Sequence, residues 1–365
     1  MRIIKIADSH LGYPGKTQDI IWALRKTVKI AHKLGIDTIM GYGDLFDNRD
    51  AVPLEALHAA HELFIESKEF NISWLWFPGN HDMHMKHEWA NKHSLLSVNK
   101  NVDVIDKIDS VTIGGQVFNI IPYIHDHAVY NQALEEVSKK APEDSILSTH
   151  VGTNKAKLNS CFLSKNWSDT NLDETSFRRV YTGHYHIHQQ VGDNTWYIGS
   201  PIPLRTEEGG VPHGFIIYDT VKRTHQFINL MALKDANRPA DFLTFISPNL
   251  DEIEKLDNVA GNHIRLMIEA GSIVEGEKYI IRQKLVENCG AKSVKFGILK
   301  EKESIHVTSG DVNTTDIRSV FGNFLDRRKI DLKAFNKDKL NQFNTEIVEA
   351  ALMAATERDL ELSED

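Results

Sequence analysis

Cysteine is nearly absent: the 365 residues contain two, Cys161 and Cys289. So few, set so far apart, exclude a disulfide framework and a CxxC metal or redox site. No apolar run approaches the ~20 residues needed to cross a bilayer, and there is neither an internal repeat nor a low-complexity tract. The opening MRIIKIADSH reads as a strand feeding an acidic turn, without the basic and apolar regions of a leader peptide. A reduced, cytoplasmic protein that meets no membrane is expected. Net positive charge is missing too. A formal charge of −9 argues against a globally basic nucleic-acid binder. It leaves room for a local basic stripe, or for divalent cations that present positive potential inside an acidic shell.

What is present is an alternation of short β-rich runs with helical patterns over residues 1–235, the layout of an α/β fold. RIIKIAD is followed by TQDIIWALRKTVKIAHKLG, where Ile20, Ile21, Leu24, Val28 and Ala31 recur at helical spacing and Gly35 ends the run. DTIMGYGD, PLEALHAAHELFIES and ISWLWFPGNHD continue the alternation, and VTIGGQVFNIIPYI predicts a hairpin turning at Gly114-Gly115. Trp74 and Trp76 alternate on a strand and are expected in the core. The pattern changes at LKDANRPADF, so a boundary is placed there. Residues 243–310 read as a small α+β domain. Residues 312–365 hold two amphipathic helices joined by a basic linker.

Five stretches carry metal-ligand residue types, each at the carboxyl end of a strand candidate. They are ADSH (Asp8, His10), GDLFD (Asp44, Asp47), GNHD (Asn80, His81, Asp82), STH (His150) and GHYH (His184, His186). Open α/β sheets bind ligands at those strand ends, so one fold can gather all five. On an extended strand, residues i and i+2 share a face roughly 6.6–6.8 Å apart. Asp8 and His10 can therefore converge on one cation, while His184 and His186 can reach one each of two cations ~3.5–4 Å apart. Asp44, on a tight turn after Gly43, can bridge with both oxygens. Singly these signals are weak, since a lone DxH or GNHD is usually a turn or a capped helix start. Five arriving in order make chance a poor explanation. Mixed Asp, Asn and His ligands suit Mn, Fe or Zn rather than a thiolate-type structural zinc. The third histidine of YTGHYHIHQQ, His188, lies one step beyond the pattern and is expected to be a bystander.

The ordered set resembles the calcineurin-like metallophosphoesterase superfamily. Within it, GDLFDNRDAVP, FPGNHD, TGHYH and YIGSPIPL are similar to the SbcD-type nuclease subunits of DNA double-strand-break repair, in particular the short phage recombination endonuclease/exonuclease form. The resemblance covers residues 1 to about 220 and implies a four-layer α/β (α+β) sandwich of two packed mixed sheets flanked by helices. It further implies two divalent ions, with Mn²⁺ the expected pair. One would be held by Asp8, His10, Asp44 and His186, the other by Asp44, Asn80, His150 and His184. His81 would be the catalytic histidine at the scissile phosphate, and Asp82 would orient it. Some relatives carry His where Asp47 stands, so Asp47 is either a secondary site residue or a turn carboxylate capping backbone amides.

The implied function is a metal-dependent DNA nuclease in recombination, repair or replication, partnered by DNA and by an SbcC-type coiled-coil ATPase docking on residues 312–365, in a host cytoplasm if phage-encoded. The sequence leaves a homodimer open, and those helices have a second reading as simple packing on the small domain. Arg327, Arg328 and Lys329 are candidates for DNA contact against the default of a solvated face. Rival readings are a phosphatase or cyclic-nucleotide phosphodiesterase of the same superfamily, and a non-catalytic scaffold. The phosphatase pattern GDxVDRG is broken here, with Asn48 after Asp47 and Arg49 displaced by one. The scaffold reading fits poorly because no candidate ligand has been replaced.

Overall fold

A computed structural model describes residues 1–299 apart from 85–86, 92–98, 154–155, 158–171, 173–174, 247 and 270. Arg327, Arg328, Lys329 and the whole of 312–365 therefore lie outside the described residues, as does all of NSCFLSKNWSDT after His150.

The strands run β1 (Arg2–Ile6), β2 (Thr38–Tyr42), β3 (Ser73–Phe77), β4 (Met83–His84), β5 (His87–Asn91), β6 (Val102–Val104), β7 (Asp109–Ile113) and β8 (Gln116–Ile121). After them come β9 (Ile146–His150), β10 (Arg179–Gly183), β11 (Gln189–Val191), β12 (Thr195–Tyr197), β13 (Gly214–Asp219) and β14 (Thr224–Asn229). The last three are β15 (Phe242–Ile246), β16 (His263–Glu269) and β17 (Ser293–Leu299). The main helices are α1 (Thr17–Leu34), α2 (Leu54–Glu69), α3 (His127–Lys140) and α4 (Glu275–Gln283).

Two six-stranded sheets are ordered β14-β13-β1-β2-β3-β6 and β11-β12-β10-β9-β8-β7; the first is antiparallel from β14 to β1 and parallel from there to its β6 edge, and the second has a parallel centre with an antiparallel strand at each edge. Strand alternation sorts the side chains of the first sheet. Ile4, Ile6, Ile39, Trp74 and Trp76 pack on α1 and α2, through Leu24, Val28 and Phe64 among others. Ile3, Met40, Tyr42 and Phe77 face the second sheet, meeting Phe118, Ile146 and Tyr181. The far side of the second sheet is covered by α3 through Tyr130 and Leu134. Four layers result, helix–sheet–sheet–helix. The third sheet, β15-β16-β17, is wholly parallel and builds its own core with Ile281 and Leu285.

One residue breaks the expected pattern. Lys5 alternates onto the inter-sheet face and is fully buried. Its ammonium lies 4.0 Å from the ring centre of Tyr181, 4.6 Å from Phe118, 5.0 Å from Tyr42 and 5.2 Å from Tyr218, and it donates to the Tyr42 hydroxyl. Burial holds its pKa well below the ordinary lysine value. The aromatic faces compensate part of the lost hydration.

Candidate metal centre

β1, β2 and β3 are neighbours in the first sheet and β9 and β10 in the second, and all five bring their carboxyl ends to one place. Asp8 and His10 lie just past β1, Asp44 past β2, and Asn80 and His81 past β3. His150 ends β9, and His184 and His186 lie past β10. The backbone there is strained. Asp8, His10, Asp44 and His184 account for four of the seven non-glycine residues with positive φ among the described residues. Such conformations cost about 1–3 kcal/mol each and persist where the surroundings enforce them. His184 and His186 thus sit on a turn, so the equal spacing of the three histidines in GHYHIH is not a strand repeat. His188 instead binds the Tyr197 carbonyl through Nδ1 at 2.9 Å and stacks on Phe227 at 3.8 Å.

Two small residues let the loops close. Gly43 has φ 83°, and a Cβ there would collide with the His150 ring and Gly79. A Cβ on Gly79 would strike the Asp44 carboxylate and His150. The loops are then stitched by backbone bonds, His10 N–H to Asp44 O at 2.9 Å and Leu11 N–H to Leu45 O at 2.7 Å. Asp82 is buried at the centre of this stitching. Its carboxylate accepts from the backbone amides of Asp44 (2.6 Å), Gly79 (2.9 Å) and Phe46 (3.4 Å). The His81 ring meets a different group: its Nδ1 lies against the Asp47 carbonyl oxygen, and its backbone amide donates to Asp44 Oδ1 at 2.8 Å.

Around Asp44 Oδ2 the donor atoms fall into two groups. On one side stand His10 Nε2, 3.7 Å from it, and His186 Nε2, 3.0 Å from His10 Nε2. Asp8 reaches across to the other elements: its Oδ1 takes the His184 amide at 2.8 Å and lies 4.0 Å from His150 Nδ1. Asp8 Oδ2 is buried and has no hydrogen-bond partner among the described residues. On the other side His150 Nε2 is 3.3 Å from Asp44 Oδ2, and the Asn80 side chain lies 2.9 Å from both His150 Nε2 and His184 Nδ1. With its oxygen towards the imidazoles, Asn80 can ligate a cation. Turned over, its nitrogen would donate to them and its oxygen would accept from Arg49 Nη2 at 3.0 Å. All seven residues that the resemblance assigned as ligands are therefore neighbours. Asp47, left between two roles, reaches His10 Nδ1 with Oδ1 at 3.1 Å.

Proton affinities reflect the crowding. Burial raises the Asp8 carboxyl to about 7. Burial also lowers the imidazoles of His10 to about 4 and His184 to about 3, with the neighbouring His150 adding to the latter. At His150 burial is outweighed by the Asp44 carboxylate, which raises it to about 9, while Asp44 itself is held well below the usual carboxylate range. A buried, unpartnered carboxylate oxygen amid oxygen and imidazole donors fits divalent cations of the hard-to-borderline kind.

Sequence reasoning missed Glu208. It is buried, its Oε1 holds His186 Nδ1 at 2.6 Å, and its Oε2 accepts from the Leu204 amide at 2.8 Å. The conspicuous GSPIPL run just before it was a clue, because a tight backbone path there delivers RTEE to the site.

The chain is similar in sequence to known proteins. Exonuclease subunit 1 of Enterobacteria phage T4 is 28% identical over 237 residues, covering 62% of this chain and 67% of that protein. The DNA double-strand break repair protein Mre11 of Sulfolobus acidocaldarius is 28% identical over 160 residues, 42% of this chain and 41% of that protein. The chain thus matches about two-thirds of the phage relative's length but about two-fifths of the archaeal one's. A solved dimetal phosphatase from Danio rerio covers 60% of this chain and 91% of its own, with 11% identity and a TM-score of 0.36. The family model described as calcineurin-like phosphoesterase matches residues 1–188, more than half of the 365, and the chain belongs to that family.

Proposed function

We propose that the protein is a metal-dependent DNA nuclease that hydrolyses phosphodiester bonds. The observation that carries the chemistry is the gathering of Asp8, His10, Asp44, Asn80, His150, His184 and His186 about one carboxylate oxygen, with Asp8 Oδ2 left without a partner among the described residues. The choice of DNA is supported by the relatives, an exonuclease subunit from a phage and a DNA double-strand break repair protein from an archaeon. Two divalent cations, with Mn²⁺ the expected species, would when bound activate the attacking water and neutralise charge on the phosphate. Asp44 lies between the two donor groups and would serve both. His81 would give a proton to the departing oxygen from Nε2. The Asp47 carbonyl can only accept, so it fixes Nδ1 as a donor and keeps the ring aimed. The remaining divisions follow the same reading: 1–235 as nuclease domain, 243–310 as a capping or DNA-binding domain, and 312–365 as the docking element for an SbcC-type ATPase. Cytoplasmic action follows as well. Among the described residues no helix is long and apolar enough to cross a membrane.

A substrate panel tests the proposal. With Mn²⁺, bis-p-nitrophenyl phosphate and DNA are expected to be cleaved, and p-nitrophenyl phosphate and cyclic AMP to be poor substrates. Dominant hydrolysis of the monoester would make the protein a phosphatase, and dominant hydrolysis of cyclic AMP a small-molecule phosphodiesterase.

A further inference from the structure

Lys5 stands where the two sheets meet. Its ammonium has two rings from each sheet around it, Tyr42 and Tyr218 from the first, Phe118 and Tyr181 from the second. Each of the three tyrosines also reaches with its hydroxyl to the sheet it does not belong to. The Tyr42 hydroxyl, which accepts from Lys5, lies 2.8 Å from Ser148 Oγ on β9. The Tyr181 hydroxyl lies 2.8 Å from His225 Nδ1 on β14, and that of Tyr218 lies 3.5 Å from Gln116 Oε1 on β8. Around them pack apolar side chains such as Ile3, Met40, Ile146 and Ile216. Apolar contacts have no preferred direction, whereas hydrogen bonds and a cation over a ring do.

The same strands carry the metal centre. Lys5 precedes Asp8 on β1, Tyr42 precedes Asp44 on β2, Ser148 precedes His150 on β9, and Tyr181 precedes His184 on β10. The Tyr42 carbonyl moreover accepts from His150 Nδ1 at 2.8 Å. The residue that Lys5 holds by its hydroxyl thus holds a candidate ligand by its backbone. The donor set is itself divided between the sheets. Asp8, His10, Asp44 and Asn80 follow strands of the first, and His150, His184 and His186 come from the second. Their mutual placement is set by how one sheet lies on the other, and a shift of about 1 Å at a reacting centre can cost about 10²-fold.

We infer that Lys5 is a positioning residue: through the three tyrosines it fixes one sheet against the other and so sets the spacing between the two halves of the metal centre. This rests on the metal-centre reading above. Stability alone does not account for a lysine here. Among the described residues no carboxylate pairs with its ammonium, and an apolar side chain of similar volume commonly serves a core as well as a buried charge or better.

Two variants of the full chain test this. Lys5→Met keeps the bulk and removes charge and donor, and Tyr42→Phe removes one hydroxyl. In chelator, Lys5→Met should resist urea as well as the parent or better. Calorimetric titration of the folded, chelator-treated chains with Mn²⁺ should nevertheless show binding weakened by about tenfold or more in both variants. At saturating Mn²⁺, kcat on bis-p-nitrophenyl phosphate should fall by about 10–10²-fold while KM stays within a few-fold. The double variant should bind Mn²⁺ no more weakly than the weaker single one, because both cut the same chain of contacts. Tyr42→Phe keeps the test open should Lys5→Met fold poorly. Mn²⁺ affinity within a few-fold of the parent in the folded variants, or losses that add in the double variant, would overturn the inference and leave Lys5 a packing residue. A parent chain that binds no Mn²⁺ would instead overturn the metal-centre reading beneath it.

Discussion

His81→Ala is expected to slow phosphodiester cleavage by about 10²–10⁴-fold, the usual worth of a positioned proton donor, while cation binding stays as it was. The separation follows from where the two halves of the residue act. Its backbone amide donates to Asp44 Oδ1 at 2.8 Å, a bond the alanine keeps. Its imidazole leans on the Asp47 carbonyl. A carbonyl oxygen cannot donate, so Nδ1 carries a hydrogen in both protonation states and Nε2 is the nitrogen that gains and loses the proton. Single-turnover cleavage beside Mn²⁺ titration reads the two effects apart. A rate within a few-fold of the parent, or a loss of bound cation, would remove His81 from the proposed role.

Asp82→Ala is expected to destabilise the metal-free fold by about 3–6 kcal/mol. The carboxylate is buried and accepts from three backbone amides on two different loops, those of Asp44, Phe46 and Gly79. Hydrogen bonds to a charged group contribute about 1.5–3 kcal/mol each, and a buried donor left without an acceptor costs about 1–3 kcal/mol. Against a total stability of about 5–15 kcal/mol this is a large fraction. Asp82→Asn retains one acceptor oxygen and should fall between the two. Urea denaturation of the three proteins in chelator measures the series. If Asp82→Ala unfolds like the parent and only cleavage suffers, Asp82 acts on His81, the role the resemblance implied, and not on the loops.

Much of this centre could be read before any coordinates because its signals are local. Asp8, Asp44, Asn80, His150 and His184 each follow a β-rich run directly, several with a glycine beside them, and the fold then has one natural place to gather strand ends. The hairpin at Gly114-Gly115 was legible for the same reason: two glycines with φ 55° and 80° between β7 and β8 leave few alternatives. What stayed hidden depends on contacts distant in sequence. Glu208 looks like either of the two acids in RTEEGG until the chain brings it 2.6 Å from an imidazole 22 positions earlier. Asp47 gives no sign on its own that its carboxylate backs His10 from 37 positions away. Lys5 sits in an apolar run whose alternation is sound, and only the stacking of a second sheet turns its face into an interior. The histidine triplet shows the reverse error. Its regular spacing suggested a strand, but His184 adopts φ 97° and the run belongs to a turn.

Metal dependence is the central claim, and the most direct measurement is cleavage of DNA by the chelator-treated full chain as Mn²⁺ is added back. No cleavage is expected without cation, little at one equivalent, and a steep rise as the second equivalent binds. Full cleavage in the presence of chelator would contradict the account.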